Sequence, residues 1–214
     1  MTTKLTFFNR QLCQLCCQFL VGDMMSMFEG VSGRIAAKVM ERMNAEAERE
    51  AVRRLDPRKG DRVLVIGFGP GIGLESLLEH PVGHVVGIDP SQVMQDAAAA
   101  RNRTAIKAGR LRLIKGTAAD LDPEIEPFDA AIAVHTLQIC RPFAPTAAKL
   151  AEVLRPGARL IGITHAWAAR KDYGEEALFI DAVVRGLHEA GFAQVSHGRA
   201  DADGGSAVLH DATR

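Results

Sequence analysis

The chain has 214 residues, 47% hydrophobic and 24% charged, which is the balance of a globular protein of one domain with a small appendage and excludes disordered, collagen-like and coiled-coil architectures. Lysine plus arginine equals aspartate plus glutamate at 26 each, and aromatics are only 5%, so neither a broad nucleic-acid footprint nor a base-stacking platform is expected. Four cysteines in a chain this long do not make a disulfide scaffold.

Lys4 and Arg10 precede an apolar run from Leu12 to Met27, the outline of a signal peptide. Gln14 and Gln18 interrupt the run, Asp23 ends it, and no small-x-small cleavage site follows closely. No stretch reaches about 18 consecutive apolar residues, so no transmembrane span is expected. The expectation is a cytoplasmic chain with free thiols. Cys13, Cys16 and Cys17 lack a second pair that would complete a zinc set, so no metal site is expected; they read as small apolar residues on a docking helix. Met24, Met27, Phe28, Val31, Ile35 and Val39 recur at helical spacing, and Pro57-Arg58-Lys59-Gly60 breaks the pattern. Residues 1–57 are thus expected to form an N-terminal helical cap, and residues 58–214 the main domain. The Leu12–Phe28 segment suits a lid, a homodimer contact or a membrane-surface helix, and periodicity leaves the three open.

From Asp61 onward, apolar β-type runs alternate with helical stretches. Strands are predicted at Arg62–Gly67, Val85–Asp89, Leu111–Lys115, Asp129–His135 and Arg159–Thr164. Helices are predicted at Gly71–Glu79, Gln92–Ala108, Ala144–Leu154 and Glu175–Ala190, the last closed by Gly191 as a C′ glycine. Phe192–His197 and Ser206–His210 flank a Gly- and Asp-rich tip, Ala200–Gly205, and read as an antiparallel hairpin. The pattern is α/β: a Rossmann-like, doubly wound, seven-stranded sheet with an antiparallel C-terminal hairpin.

The informative motif follows the first strand: Gly67-Phe68-Gly69-Pro70-Gly71. Gly67 and Gly69 let the backbone turn sharply and approach a ligand, and in open α/β sheets ligands sit at the carboxyl ends of the strands. Asp89 ends the second strand, 22 residues after Gly67, where a carboxylate accepts hydrogen bonds from the ribose of an adenosine group. A dinucleotide fingerprint needs G-x-G-x-x-G; the residue required to be glycine is Ile72 counting from Gly67 and Leu74 counting from Gly69, so both registers fail. A P-loop is missing because no Gly-Lys-Ser/Thr follows. A tight turn with no ligand would explain the glycines alone, and a helix N-cap would explain Asp89 alone, though Ser91 caps equally well.

This arrangement resembles motif I of the class I S-adenosylmethionine-dependent methyltransferases. Gly87-Ile88-Asp89-Pro90-Ser91 resembles the acidic segment that grips the ribose. Gly116-Thr117-Ala118-Ala119-Asp120 resembles the adenine-contacting loop. Phe128-Asp129 through Val134-His135-Thr136-Leu137 resembles motif IV, and Glu152 through Pro156-Gly157 the turn before the fifth strand. The stretch Gly30…Gly33-Arg34…Met40…Asn44, with Met94…Arg101-Asn102, is similar to a ubiquinone/menaquinone-type subgroup. The resemblance implies S-adenosyl-L-methionine as cofactor, S-adenosyl-L-homocysteine as product and a small-molecule methyl acceptor. It places the cofactor against Gly67, Phe68, Gly69, Gly71, Asp89, Pro90, Met94, Thr117, Ala118 and Val134. It places the acceptor near Met40, Asn44, His135, His165 and Trp167, with His135 as the candidate general base. The missing Asn-Pro-Pro-Tyr-type motif argues against methylation of DNA bases. An apolar, quinone-like or lipid-like acceptor fits the N-terminus.

Two positions depart from the family. Val65 stands where a carboxylate usually braces the glycine turn and the amino-acid end of the cofactor; its loss is worth on the order of 1.5–3 kcal/mol. Thr117 stands where an aspartate often reaches the adenine amine, and Asp120 is its nearest substitute. These departures motivate an alternative, a degenerate methyltransferase fold acting as a non-catalytic binding protein. In a degenerate site, Val65→Glu should strengthen cofactor binding.

Overall fold

The computed structural model describes residues 44–122 and 124–214. Met40, the cysteine cluster at 13–17 and the methionine-rich segment expected to be helical therefore lie outside the described residues. One sheet organises the rest. Its strands are β1 (Arg62–Ile66), β2 (His84–Asp89), β3 (Leu111–Lys115), β4 (Phe128–Val134), β5 (Leu154–Thr164), β6 (Gln194–Ala200) and β7 (Ala207–Thr213), in the spatial order β3-β2-β1-β4-β5-β7-β6. The first five strands pair in parallel. β7 runs antiparallel to both neighbours, β5 and β6. The expected hairpin is present, but β7 alone reverses direction, because β6 and β5 both oppose it.

β1 and β4 are apolar on both faces and buried throughout their carboxyl halves, as strands covered by helices on two sides must be. Side-chain alternation divides the core in two. Val63, Val65, Ile132 and Ile161 face α1 (residues 44–55), α2 (Ile72–Leu78) and α3 (Gln92–Arg101). Leu64, Ile66, Ala131 and Leu160 face α5 (Phe143–Val153), α6 (Ala166–Tyr173) and α7 (Glu176–Glu189), where Phe179 is fully buried. The register Val65↔Ile132 sets these two side chains abreast on the first face.

Four local differences separate the structure from the sequence reading. The helix expected over 92–108 breaks at Asn102 into α3 and α4 (Arg103–Lys107). There the side-chain amide turns inward and donates to the carbonyls of Gly71 at 3.2 Å and Ala98 at 3.1 Å. β5 begins at Leu154 rather than Arg159, running through Pro156-Gly157 with a register shift against β4. α6 was not expected; its buried residues are the small Ala166, Ala168 and Ala169, which give no strong apolar period. The hairpin tip winds into a helical turn, α8 (Ala202–Gly205). Gly191 follows α7 with φ +88°, as expected of a C′ glycine. No helix among the described residues is long and apolar enough to cross a membrane.

Candidate cofactor and acceptor site

The glycine turn joins β1 to α2 at the carboxyl edge of the sheet. Gly67 (φ +66°) and Gly69 (φ +52°) both hold left-handed backbone. Gly67 packs against Thr136, whose hydroxyl donates to the carbonyls of Ile66 at 3.1 Å and Val134 at 3.0 Å, so β1 and β4 are tied where they end. Gly69 differs: among the described residues nothing lies within 4 Å of the position a Cβ would take, so the turn presents bare backbone there.

Asp89 is 7% exposed and closes β2 beside this turn. Its Oδ2 accepts from Gly69 N–H at 3.0 Å and its Oδ1 from Ser91 N–H at 2.9 Å. Burial pushes its carboxyl above the ordinary aspartate range, and the Ser91 and Gly69 amides pull it back. Asp89 therefore braces the turn across the strand gap, a task the sequence reading left open once Val65 replaced the acidic residue on β1. Ser91 caps α3, accepting from Met94 N–H at 3.4 Å.

Other expected cofactor residues divide by side-chain direction. Phe68 is 1% exposed and Met94 2%; both side chains belong to the inner core, and Phe68 fills the space left by Gly87. Gly71 (φ +88°) serves packing: a Cβ there would lie 2.9 Å from Ala98 Cβ. Pro90 is half-buried beside Asp89, Val134 is buried at the end of β4, and Ala118 is buried beyond β3. Thr117 is exposed. Its N–H and hydroxyl donate to Asp120 Oδ2 at 2.7 and 2.8 Å, so the pair closes a local capping box, and those amide and hydroxyl bonds hold the Asp120 carboxyl below its usual range.

Sequence reasoning missed the residues that hold this edge together. Gln95 Nε2 bridges the carbonyls of Asp89 at 2.8 Å and Ile114 at 2.7 Å, joining the ends of β2 and β3. Arg101 donates to Pro70 O at 3.2 Å and pairs with Glu75 at 3.0 Å, clamping the turn from α3. Only Arg101-Asn102 carried a prior signal.

Three of the candidate acceptor residues, His135, His165 and Trp167, meet at the ends of β4 and β5. His135 holds left-handed backbone (φ +52°), a costly state for a residue with a Cβ. Its ring stacks on His165 with centroids 3.8 Å apart, and His165 stacks on Trp167 at 5.9 Å. Gln138 Nε2 donates to His135 O at 2.8 Å. His165 N–H donates to His135 Nδ1 at 3.1 Å. A neutral His135 ring therefore carries its proton on Nε2. A second proton on Nδ1 would face the His165 N–H, so the expected general-base role runs against this bond. Asn44 is half-buried at the start of α1. Among the described residues no group of three or more His, Cys, Asp or Glu is placed to hold a metal. A cavity of about 600 Å³, lined by Arg141, Phe143, Tyr173, Arg185 and Glu189 among others, lies on the α5/α7 side, away from the glycine turn.

Comparison with known proteins agrees with this geometry. Residues 63–157 match the family model of a methyltransferase domain. The chain is 28% identical over 126 residues to YdaC of Bacillus subtilis, named an uncharacterized methyltransferase, covering 58% of this chain and 67% of that one. It is 30% identical over 112 residues to the O-methyltransferase rstn1 of Aspergillus nomiae, covering 52% and 50%. The chain thus spans two thirds of the first relative and half of the second. The fold is also that of phosphoethanolamine N-methyltransferase 2 of Haemonchus contortus, solved in complex with S-adenosyl-L-methionine, with a TM-score of 0.66, 17% identity, and coverage of 84% of this chain and 46% of that one. Residues 63–157 are thus similar to a methyltransferase domain, and the chain shares its fold with a methyltransferase solved with S-adenosyl-L-methionine.

Proposed function

We propose that this chain transfers the methyl group of S-adenosyl-L-methionine to a small acceptor lying against the His135–His165–Trp167 stack. The observation that carries the reading is the pairing of Gly69, whose backbone is bare among the described residues, with the buried carboxylate of Asp89. A carboxylate has about four acceptor positions, and two are used by Gly69 and Ser91, so two remain for ribose hydroxyls. These residues fit an adenosine group, which Pro90, Ala118 and Thr117 would flank in this reading.

When bound, the cofactor supplies an electrophilic methyl group on a sulfonium. The chain's part is positioning and exclusion of water. Thr136 fixes the spacing of the β1 and β4 ends, and Gln138 holds the strained carbonyl of His135. The stacked rings offer a flat wall, which suits a planar, apolar acceptor. The O-methyltransferase relative supports an oxygen acceptor.

Calorimetric titration with S-adenosyl-L-homocysteine tests this reading. Micromolar binding is expected, and Asp89→Ala should weaken it by about 100-fold or more, since the bonds to the turn and to the ribose go together. Absence of wild-type binding at about millimolar ligand, near −4 kcal/mol, would overturn the reading and favour the non-catalytic alternative.

A further inference from the structure

Glu48 lies on α1 and is 5% exposed. Its carboxyl packs on Gly73 in the first turn of α2: a Cβ at Gly73 would overlap Oε2 and sit 3.2 Å from Cδ. The same point is 3.7 Å from Ile132 Cδ1, and Ile132 is abreast of Val65. Glu48 is therefore delivered from another element to within one strand of the end of β1, where no β1 carboxylate exists. Gly73 lies in the first turn of α2, just after the glycine turn at the carboxyl end of β1, and this contact sets the Glu48 carboxyl towards that edge.

The surroundings of Glu48 do not satisfy it. Among the described residues it has no hydrogen-bond or ion-pair partner, whereas Glu50, two residues on, is held by Arg53 and Arg54. A buried carboxyl with no partner is a liability that folds rarely keep. A cationic ligand group at this edge would remove it. A ligand whose ribose sits on Asp89 at β2 and that crosses the glycine turn brings its other end over β1 and β4, the Glu48 side.

We infer that Glu48 is the carboxylate that receives the ammonium of the cofactor's amino-acid end. The inference rests on the proposed cofactor reading. Burial raises the Glu48 carboxyl to about 8 in the ligand-free protein, so ionisation waits on a cation. Gly73 is then required not by backbone conformation but by the room Glu48 needs.

The test compares two ligands on wild type and Glu48→Gln. S-adenosyl-L-homocysteine carries the ammonium; 5′-methylthioadenosine has the same adenosine and thioether without the amino acid. Glutamine matches the neutral carboxyl in size, and thermal melting confirms that the variant is folded. The expected result is a loss of about 30-fold or more for S-adenosyl-L-homocysteine, with methylthioadenosine unchanged within about two-fold. An unchanged affinity for S-adenosyl-L-homocysteine, or an equal loss for both ligands, would overturn the assignment while leaving the cofactor reading in place. A wild type that binds neither ligand would overturn both.

Discussion

Two buried carboxyls flank the glycine turn, and they live under opposite rules. Asp89 is tied to backbone on both oxygens, by Gly69 and Ser91. Glu48 meets a glycine and an isoleucine and finds no partner among the described residues. The first is part of the scaffold whether or not a ligand is bound. The second gains a partner only when something cationic arrives. A site can thus hold one acid that shapes it and another that waits, and burial alone does not tell them apart; hydrogen-bond partners do.

The strongest way to break this contrast is to supply the missing β1 acid. Val65 is 2% exposed, so Val65→Glu in the wild type buries a second carboxyl one strand from Glu48. A loss of about 3–5 kcal/mol in urea unfolding is expected, with no gain in S-adenosyl-L-homocysteine affinity. In the Glu48→Gln background the same substitution should recover binding. Stronger binding from Val65→Glu alone, without loss of stability, would show that the two positions do not share a role.

A smaller effect comes from pH. The folded Glu48 carboxyl sits at about 8 against 4.5 when unfolded. A raised carboxyl favours the fold fully below pH 4.5 and loses that contribution as pH rises through 8. Glu48→Gln should therefore match the wild type in melting temperature near pH 4.5, then exceed it progressively up to about pH 8 and by a constant margin above, worth a few kcal/mol. A difference that does not change with pH would mean that Glu48 is already ionised and paired in the free protein.

The smallest effect lies far from the turn. His210 on β7 is fully buried, edge-on to Phe179 at 5.2 Å, with no hydrogen-bond partner recorded for either ring nitrogen among the described residues. Burial lowers it to about 3, from 6.5. A depressed histidine contributes its stability above pH 6.5 and loses it as pH falls through 3, because the unfolded chain takes up the proton first. His210→Phe should leave stability nearly unchanged at pH 8 and add about 2 kcal/mol by pH 4.5. Equal acid sensitivity in the two proteins would place the acid-labile group elsewhere.

The first of these carboxyls was legible in the sequence and the second was not, for a definite reason. Asp89 follows a strand and a glycine turn at fixed spacing, so local pattern sufficed. Glu48 sits in the charged stretch Glu46-Ala47-Glu48-Arg49-Glu50, which reads as a solvated helix face. Its burial depends on Gly73, 25 residues away, and a single sequence holds no record of that contact. The same limit explains Phe68 and Met94: proximity to the turn was readable, but which way each side chain points was decided by Gly87 and by the packing of α3. The five parallel strands were readable from their apolar runs, whereas α6 hid behind alanines.

The strand order carries one more consequence, for how the chain is made. β7 follows β6 in sequence yet sits inside the sheet, between β5 and β6. Until it is synthesised, β5 ends the sheet with an open edge and β6 has no partner. Ribosome-bound chains that stop short of Ala207 should therefore expose two unpaired edges at once, the kind of surface that recruits chaperones or a second nascent chain.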